Sequence, residues 1–241
     1  MLPNLLPFLL VAPAISAPQT PTVDQLIARH IEARGGMAAL KAVQTRLTTG
    51  VMSGVAPFDI PFTVEQKRPG FFRRELSIQG TPQITVFDGK SGWKVDPFTN
   101  GDAKPQPLTP DDVKDLIEDA DMDGGLVDWA AKGDRVEYLG QEQLEGGPAY
   151  ALKLTYASGR VSTIFLDARS YQEVKRVVTR KQMGQEVEME VFSNGYHPVQ
   201  GVSEPARIEI GPKDSAQRMS LAMEKVEVNV PMDDARFRNM E

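Results

Sequence analysis

Residues 45–95 read TRLTTGVMSGVAPFDIPFTVEQKRPGFFRRELSIQGTPQITVFDGKSGWKV, and this stretch decides the fold. Apolar side chains recur at every second position. Leu47 and Val51 are followed by Ile60, Phe62 and Val64, by Phe72, Leu76 and Ile78, by Ile84 and Val86, and by Trp93 and Val95. A period of two marks strands with one buried face. Arg74 is the odd member, a cation where the alternation calls for an apolar residue. Turn signals separate the runs: Arg68-Pro69-Gly70, Gln79-Gly80 and Asp88-Gly89. Strands this short and closely spaced, with no helix between them, pair antiparallel as a meander.

The rhythm resumes downstream. Strands are expected over Arg135–Gln141, Ala149–Tyr156, Val161–Asp167, Glu173–Lys181, Glu186–Ser193, Ala206–Ile210 and Gln217–Val228, with Met183-Gly184 among the links. About a dozen strands in one antiparallel sheet curl or close, which also protects the edges. Between the two β sections the pattern breaks. Pro97, Asn100, Gly101, Pro105 and Pro107 predict a loop, and Thr109 with Pro110 predicts a helix start. Val113, Leu116, Ile117 and Ala120 form its apolar stripe, Gly124-Gly125 its stop, and Leu126 to Ala131 a further turn. Upstream, Thr22 and Gln25 form a capping box for a helix carrying Val23, Leu26, Ile27 and Ile31, stopped by Gly35-Gly36. A second short helix is expected over Met37–Val43. No composition shift divides residues 18–241, which are expected to form one domain with a helical lid over about 109–131.

Of the 241 residues, 41% are hydrophobic and 25% charged, as in an ordinary globular protein. The formal net charge of −6 argues against nucleic acid as a partner, because phosphate binding wants a basic surface. There is no cysteine, hence no disulfide framework and no thiolate metal site. The first charged side chain is Asp24, and Leu5 to Ala17 is an apolar stretch ending Ile15-Ser16-Ala17. It reads as a signal peptide over residues 1–17, interrupted by Pro7 and Pro13 and too short to span a bilayer. No later apolar run is long enough for a membrane span, and a periplasmic location is expected.

The motifs that could carry chemistry all have plainer readings. His30 and His197 lack partners at ligand spacing, so structural roles are expected for both. Asp88-Gly89-Lys90-Ser91 resembles the end of a phosphate loop, but Ile84 stands where its first glycine belongs, and a hairpin explains it better. Tyr171 and Lys175 have a dehydrogenase-like spacing without any Gly-x-Gly-x-x-Gly, and no Gly-x-Ser-x-Gly is present. Asp119-Ala120-Asp121-Met122-Asp123-Gly124 matches half of an EF-hand loop. Its twelfth position is Ala130 instead of a bidentate Glu, so calcium is not expected to bind. No catalytic residue, metal site or cofactor is expected, and the chain is expected not to be an enzyme.

Several segments carry a resemblance through their order. They are Ile31-Glu32-Ala33-Arg34-Gly35-Gly36, Gly92-Trp93-Lys94-Val95-Asp96-Pro97-Phe98, Ala120 to Asp128, Phe165-Leu166-Asp167-Ala168, and Val226 to Phe237. Over nearly the whole mature chain the set resembles the periplasmic LolA/LolB-like proteins, the outer-membrane lipoprotein-sorting proteins. The resemblance implies a mainly β, half-open and strongly curved antiparallel barrel of about eleven strands, with an N-terminal helix and a helical lid. It also implies that acyl chains of a lipoprotein or lipid are held in the concave face. The alternative within the same fold is an envelope-stress regulatory or structural protein that binds a protein partner.

A curved sheet too large for its own side chains leaves a cavity under its lid, apolar with a few polar groups. The expected hydrophobic ligand-binding residues are Phe62, Phe72, Leu76, Ile78, Ile84, Val86 and Trp93 on the sheet, and Val113, Leu116, Ile117, Met122 and Trp129 on the lid. The competing expectation is that these side chains fill a closed core. Ten methionines fit an adaptable lining. N-terminal sequencing of the envelope fraction should find a mature chain starting at Pro18. Full-length protein in the cytosol would overturn the export reading.

Overall fold

Two helices and a hairpin-rich sheet follow from the local signals. The computed structural model describes residues 20–182 and 185–238. The expected leader and the Met183-Gly184 turn lie outside the described residues. Helix α1 (Val23–Ala33) starts at Thr22. The Thr22 hydroxyl accepts from the Gln25 N–H at 3.2 Å, and the Gln25 side chain accepts from the Thr22 N–H at 3.0 Å, so two orphan donors are satisfied. Its buried face carries Leu26, Ile27 and His30. Gly35 (φ +110°) turns the chain into α2 (Met37–Ala42), and a Cβ there would lie 2.0 Å from the Gly201 carbonyl oxygen, so only glycine fits.

The strands are β1 (Thr45–Ser53), β2 (Ile60–Lys67), β3 (Phe71–Ile78), β4 (Thr81–Phe87), β5 (Gly92–Asp96) and β6 (Asp102–Pro107), then β7 (Arg135–Leu144), β8 (Gly147–Thr155), β9 (Val161–Asp167), β10 (Glu173–Gln182), β11 (Gln185–Asn194), β12 (His197–Val199), β13 (Val202–Glu204), β14 (Arg207–Pro212) and β15 (Met219–Val228). Thirteen form one antiparallel sheet in the order β6-β5-β4-β3-β2-β1-β15-β14-β11-β10-β9-β8-β7, and β12 and β13 make a separate ribbon. The sheet is open, in line with the half-open form expected, since its edges β6 and β7 do not pair with each other; the strand number is corrected from about eleven to thirteen. The extra strand β6 lies in the proline-bearing stretch expected to be a loop. An edge strand tolerates Pro105 and Pro107, since the missing N–H groups need no partner there. β15 joins the two meanders by pairing with β1 on one side and β14 on the other.

Register assigns the faces. Phe62 sits opposite Leu76, Val64 opposite Arg74 and Phe72 opposite Phe87, so these side chains share the concave face. Ile84, Val86, Trp93 and Val95 share the other face, where they pack with Phe71, Met232 and Phe237 of the C-terminal segment. The placement of Ile84, Val86 and Trp93 in the concave face is thus corrected. The apolar set of β4 and β5 lies on this outer face because the last turn, Asp234–Phe237, covers it, while Gln83, Thr85 and Lys94 alternate to the other side. At the far wing, Leu152, Leu154, Ile164 and Leu166 pack under Leu26, Ile27 and Leu126, with Trp129 against the same cluster.

After the short α3 (Pro97–Asn100), the lid helix α4 (Pro110–Asp119) starts at Thr109, with Pro110 in its first turn and a capping box closed by Asp112. It straps the trough from wing to wing. On one side Leu116 and Ala120 pack on Phe72 and Phe87, with Val113 beside them. On the other, Arg160 and Arg180 reach Asp115 at 2.5 and 2.8 Å, and Arg160 reaches Glu118 at 3.2 Å. Ile117 faces outward, 55% exposed, so its expected inward placement is corrected: the buried stripe is Val113, Leu116 and Ala120. The helix ends before Gly124-Gly125, and residues 125–133 form turns.

Asp123 seats that trailing segment. Its carboxylate accepts from Arg68 at 2.6 and 2.9 Å and from Lys41 at 2.6 Å. Burial alone would raise its pKa, but hydrogen bonds from Arg68 and Lys41 outweigh this and hold it at about 2. The unfolded carboxyl titrates near 3.8, so the native state keeps this charge to lower pH than the unfolded chain does. The linked stability is present above about pH 4 and lost as pH falls from about 4 toward 2. Lys41 is 40% exposed, so solvent screening leaves a contribution of about 1–2 kcal/mol. Asp123→Asn should lower stability at pH 7 by about that amount. Its deficit against wild type should shrink as denaturation is repeated at pH 4, 3 and 2; a deficit independent of pH would show that the charge is not what matters.

Candidate functional site

Under the lid lies a cavity of about 530 Å³. That is within the range of roughly 300–1,000 Å³ typical of ligand pockets. Both wings line it, which requires the open sheet to curl around it. Phe62, Val64 and Phe72 come from β2 and β3, Val178 and Val191 from β10 and β11, and Ile208 and Ile210 from β14. Leu221, Met223 and Val226 of β15 form the floor between the wings, and Met122 and Leu126 close it from above. The period-two rule places the strand residues up to Met223 inward. The register shift at Thr49–Gly50, opposite Met223 and Lys225, moves the parity by one so that Val226 also faces inward, and the curl brings strands more than a hundred residues apart to one void.

Of the residues expected from sequence to bind a hydrophobic ligand, Phe62, Phe72 and Met122 line this cavity. Leu76 and Ile78 share its face but pack with Met52, Ile60 and Met219 at one end of the trough. Leu116 borders a second, smaller cavity of about 280 Å³, and Val113 packs beside it. Trp129 belongs to the α1 cluster, Ile117 to the outer surface of the lid, and Val86 and Trp93 to the core on the other face, against which Ile84 packs while also bordering the smaller cavity.

Sequence reading missed the polar side of the cavity. Arg34 at the end of α1 donates to the Asp123 carbonyl and, at 3.4 Å, to the Met122 carbonyl. Arg46 of β1 donates to the Met122 carbonyl at 2.9 Å and to Glu204 at 3.0 Å, and Gln66 of β2 donates to the Asp119 carbonyl at 2.7 Å. Three sheet and helix donors thus hold the lid through its backbone. Arg176 and Glu173 form a two-pronged pair at 2.9 and 2.8 Å, and the Tyr196 hydroxyl donates to the Glu173 carbonyl at 2.7 Å. His30 is 4% exposed, and its Nδ1 lies 2.9 Å from the Tyr171 carbonyl, which fixes the proton on that nitrogen. Burial, and then the Arg34 charge, lower its pKa to about 4, so it is neutral at pH 7. The available signals were weak: parity with Phe62, Val64 and Phe72 for Gln66 and Arg74, a misleading one for Arg46, whose strand showed its apolar alternation at Leu47 and Val51, and nothing for the others.

Among the solved structures similar to this chain are a LolA superfamily protein of Nitrosomonas europaea (TM-score 0.61, 12% identity, 91% of this chain and 99% of that one) and a putative outer-membrane lipoprotein-sorting protein domain of Vibrio parahaemolyticus (0.60, 10%, 90% and 97%). The fold is LolA-like. A DUF1329 family protein of Desulfovibrio piger is similar to a comparable degree (0.63, 13%, 91% and 98%). No protein-family model matches the sequence, and no curated protein does. At such identities the likeness establishes the LolA-like fold alone.

The acidic loop at the end of the LolA-like lid is committed to cations of the chain itself. Asp123 is held by Arg68 and Lys41, Asp121 by Lys132 at 2.6 Å, and Asp119 pairs with Arg180 at 3.5 Å. A calcium ion would have to displace these partners and still lack the twelfth-position ligand. Melting curves in millimolar calcium and in chelator are expected to overlay, because only a ligand of the native state raises Tm. A clear separation would show a site that these ion pairs conceal.

Proposed function

We propose that the protein is a periplasmic carrier or binding protein that holds the acyl chain of a lipid or lipoprotein in the trough and does not transform it. The observation that carries this reading is the cavity of about 530 Å³, floored by apolar side chains and roofed by a strap. Supporting it, a LolA-like fold also belongs to a Vibrio parahaemolyticus domain whose name refers to outer-membrane lipoprotein sorting. The leader expected over residues 1–17 is the basis for the periplasmic location, and no helix among the described residues is long and apolar enough to cross a membrane.

An acyl chain entering the trough gains about 0.8 kcal/mol per methylene removed from water. Ile210 lines the cavity and is only partly buried, so its side chain is available to a ligand. Delipidated protein should therefore bind a fluorescent acyl probe. Ile210→Gln should weaken binding about tenfold, in line with the loss of roughly 1–2 kcal/mol of apolar contact. Ile117→Ser, on the outward face of the lid, should leave affinity unchanged. Failure of the delipidated wild type to bind any acyl probe would sink this reading and favour a protein partner as the ligand of the fold.

A further inference from the structure

The charges around the cavity do not cancel. Five guanidiniums line it, those of Arg34, Arg46, Arg74, Arg176 and Arg180, against four carboxylates, those of Asp119, Asp121, Glu173 and Glu204. Arg46 pairs with Glu204, Arg176 with Glu173 and Arg180 with Asp119, while Asp121 is taken by Lys132, which is not a lining residue. Two guanidiniums are left without a carboxylate. Arg34 is spent on lid carbonyls. Arg74 makes no hydrogen bond or ion pair among the described residues; Asp119 lies in its field, but the ion pair is with Arg180 at 3.5 Å.

The setting of Arg74 is what gives this weight. It stands mid-strand in β3, on the face of Phe72 and Leu76, directly opposite Val64 on β2 and Thr85 on β4. It borders both the apolar trough and the smaller cavity of about 280 Å³, whose carboxylates are all engaged: Asp112 with Lys94, Asp115 and Asp119 with Arg180, and Asp96 with Thr99. The apolar void therefore gives way to a polar one at this residue. An exposed cation with no hydrogen-bond or ion-pair partner among the described residues, placed on an apolar wall at such a boundary, matches an amphiphile whose tail lies in the trough and whose anionic head ends at the boundary.

Resting on the carrier reading above, we propose that the ligand is an amphiphile with an anionic head, a carboxylate or a phosphate, and that Arg74 is the residue that binds the head. Delipidated protein is titrated with dansyl-aminoundecanoic acid and with the corresponding alcohol, which share a tail and differ in head charge. Wild type should bind the acid about 10- to 100-fold more tightly, the range set by a charge-assisted hydrogen bond. Arg74→Gln should remove that preference while leaving the alcohol's affinity unchanged, and Arg74→Lys should retain most of it. Displacement of the acid by lysophosphatidic acid, but not by equal inorganic phosphate, would confirm that head and tail act together. Displacement by inorganic phosphate alone would assign Arg74 to a free anion and overturn the proposal. Equal affinity of wild type for acid and alcohol, or equal loss of both in Arg74→Gln, would overturn it while leaving the carrier reading intact. Binding of neither probe would overturn both.

Discussion

Everything above the sheet rests on one constraint: the concave face of an open thirteen-stranded sheet cannot be covered by its own side chains. The cover has to come from elsewhere in the chain, and it has to be held. The chain solves this with backbone carbonyls. Where the lid helix ends, the carbonyls of Asp119, Met122 and Asp123 accept from Gln66, Arg46 and Arg34. The Asp123 side chain meanwhile ties the same turn to Arg68 and Lys41. Buried donors and acceptors that lose their partners cost about 1–3 kcal/mol each, so this hinge end of the lid is costly to lift.

The other fastenings of the lid are of a different kind. Leu116 and Ala120 sit in a small apolar seat, and Arg160 and Arg180 grip acidic side chains on the opposite wing. Partly exposed ion pairs are worth little and weaken with salt. The helix is therefore tethered firmly at its C-terminal end and loosely along its length, an arrangement in which rotation about the tether costs less than removal of the whole lid. This asymmetry follows from the sequence, because α4 places acids toward Arg160 and Arg180 and apolar residues toward Phe72 on one short amphipathic helix.

Much of this was legible before any coordinates. The period-two runs gave the strands, Asp88-Gly89 gave a hairpin in which Asp88 accepts from the Lys90 and Ser91 N–H groups, and Thr22 and Thr109 gave both helix starts. What was not legible depended on distant partners. Alternation shows that Ile84 and Val86 point opposite to Thr85 and Phe87, but not which set faces the lid; Phe237, some 150 residues later, settles it. Ile117 completes an apolar stripe on a helical wheel, yet the lid's seat is narrow and only Leu116 and Ala120 fit it. The ribbon β12–β13 was invisible because three residues per strand carry no period. The polar lining escaped because arginine and glutamine at inward positions look like errors in a hydrophobic pattern; Arg74 stood out only as an exception to the rule that found its neighbours.

The two free edges of the sheet differ in a way that bears on solubility. An unpaired strand is a template on which another chain can add, and closed barrels avoid the problem by having none. Here β6 carries Pro105 and Pro107, which remove donors from one border, and β7 is broken by an irregularity between Tyr138 and Gly140, where Gly140 takes φ +122°. Neither border therefore presents a long, flat row of donors and acceptors. A sheet so defended has no need to seal itself against aggregation, and the gap that a barrel would have to close can be kept as a doorway.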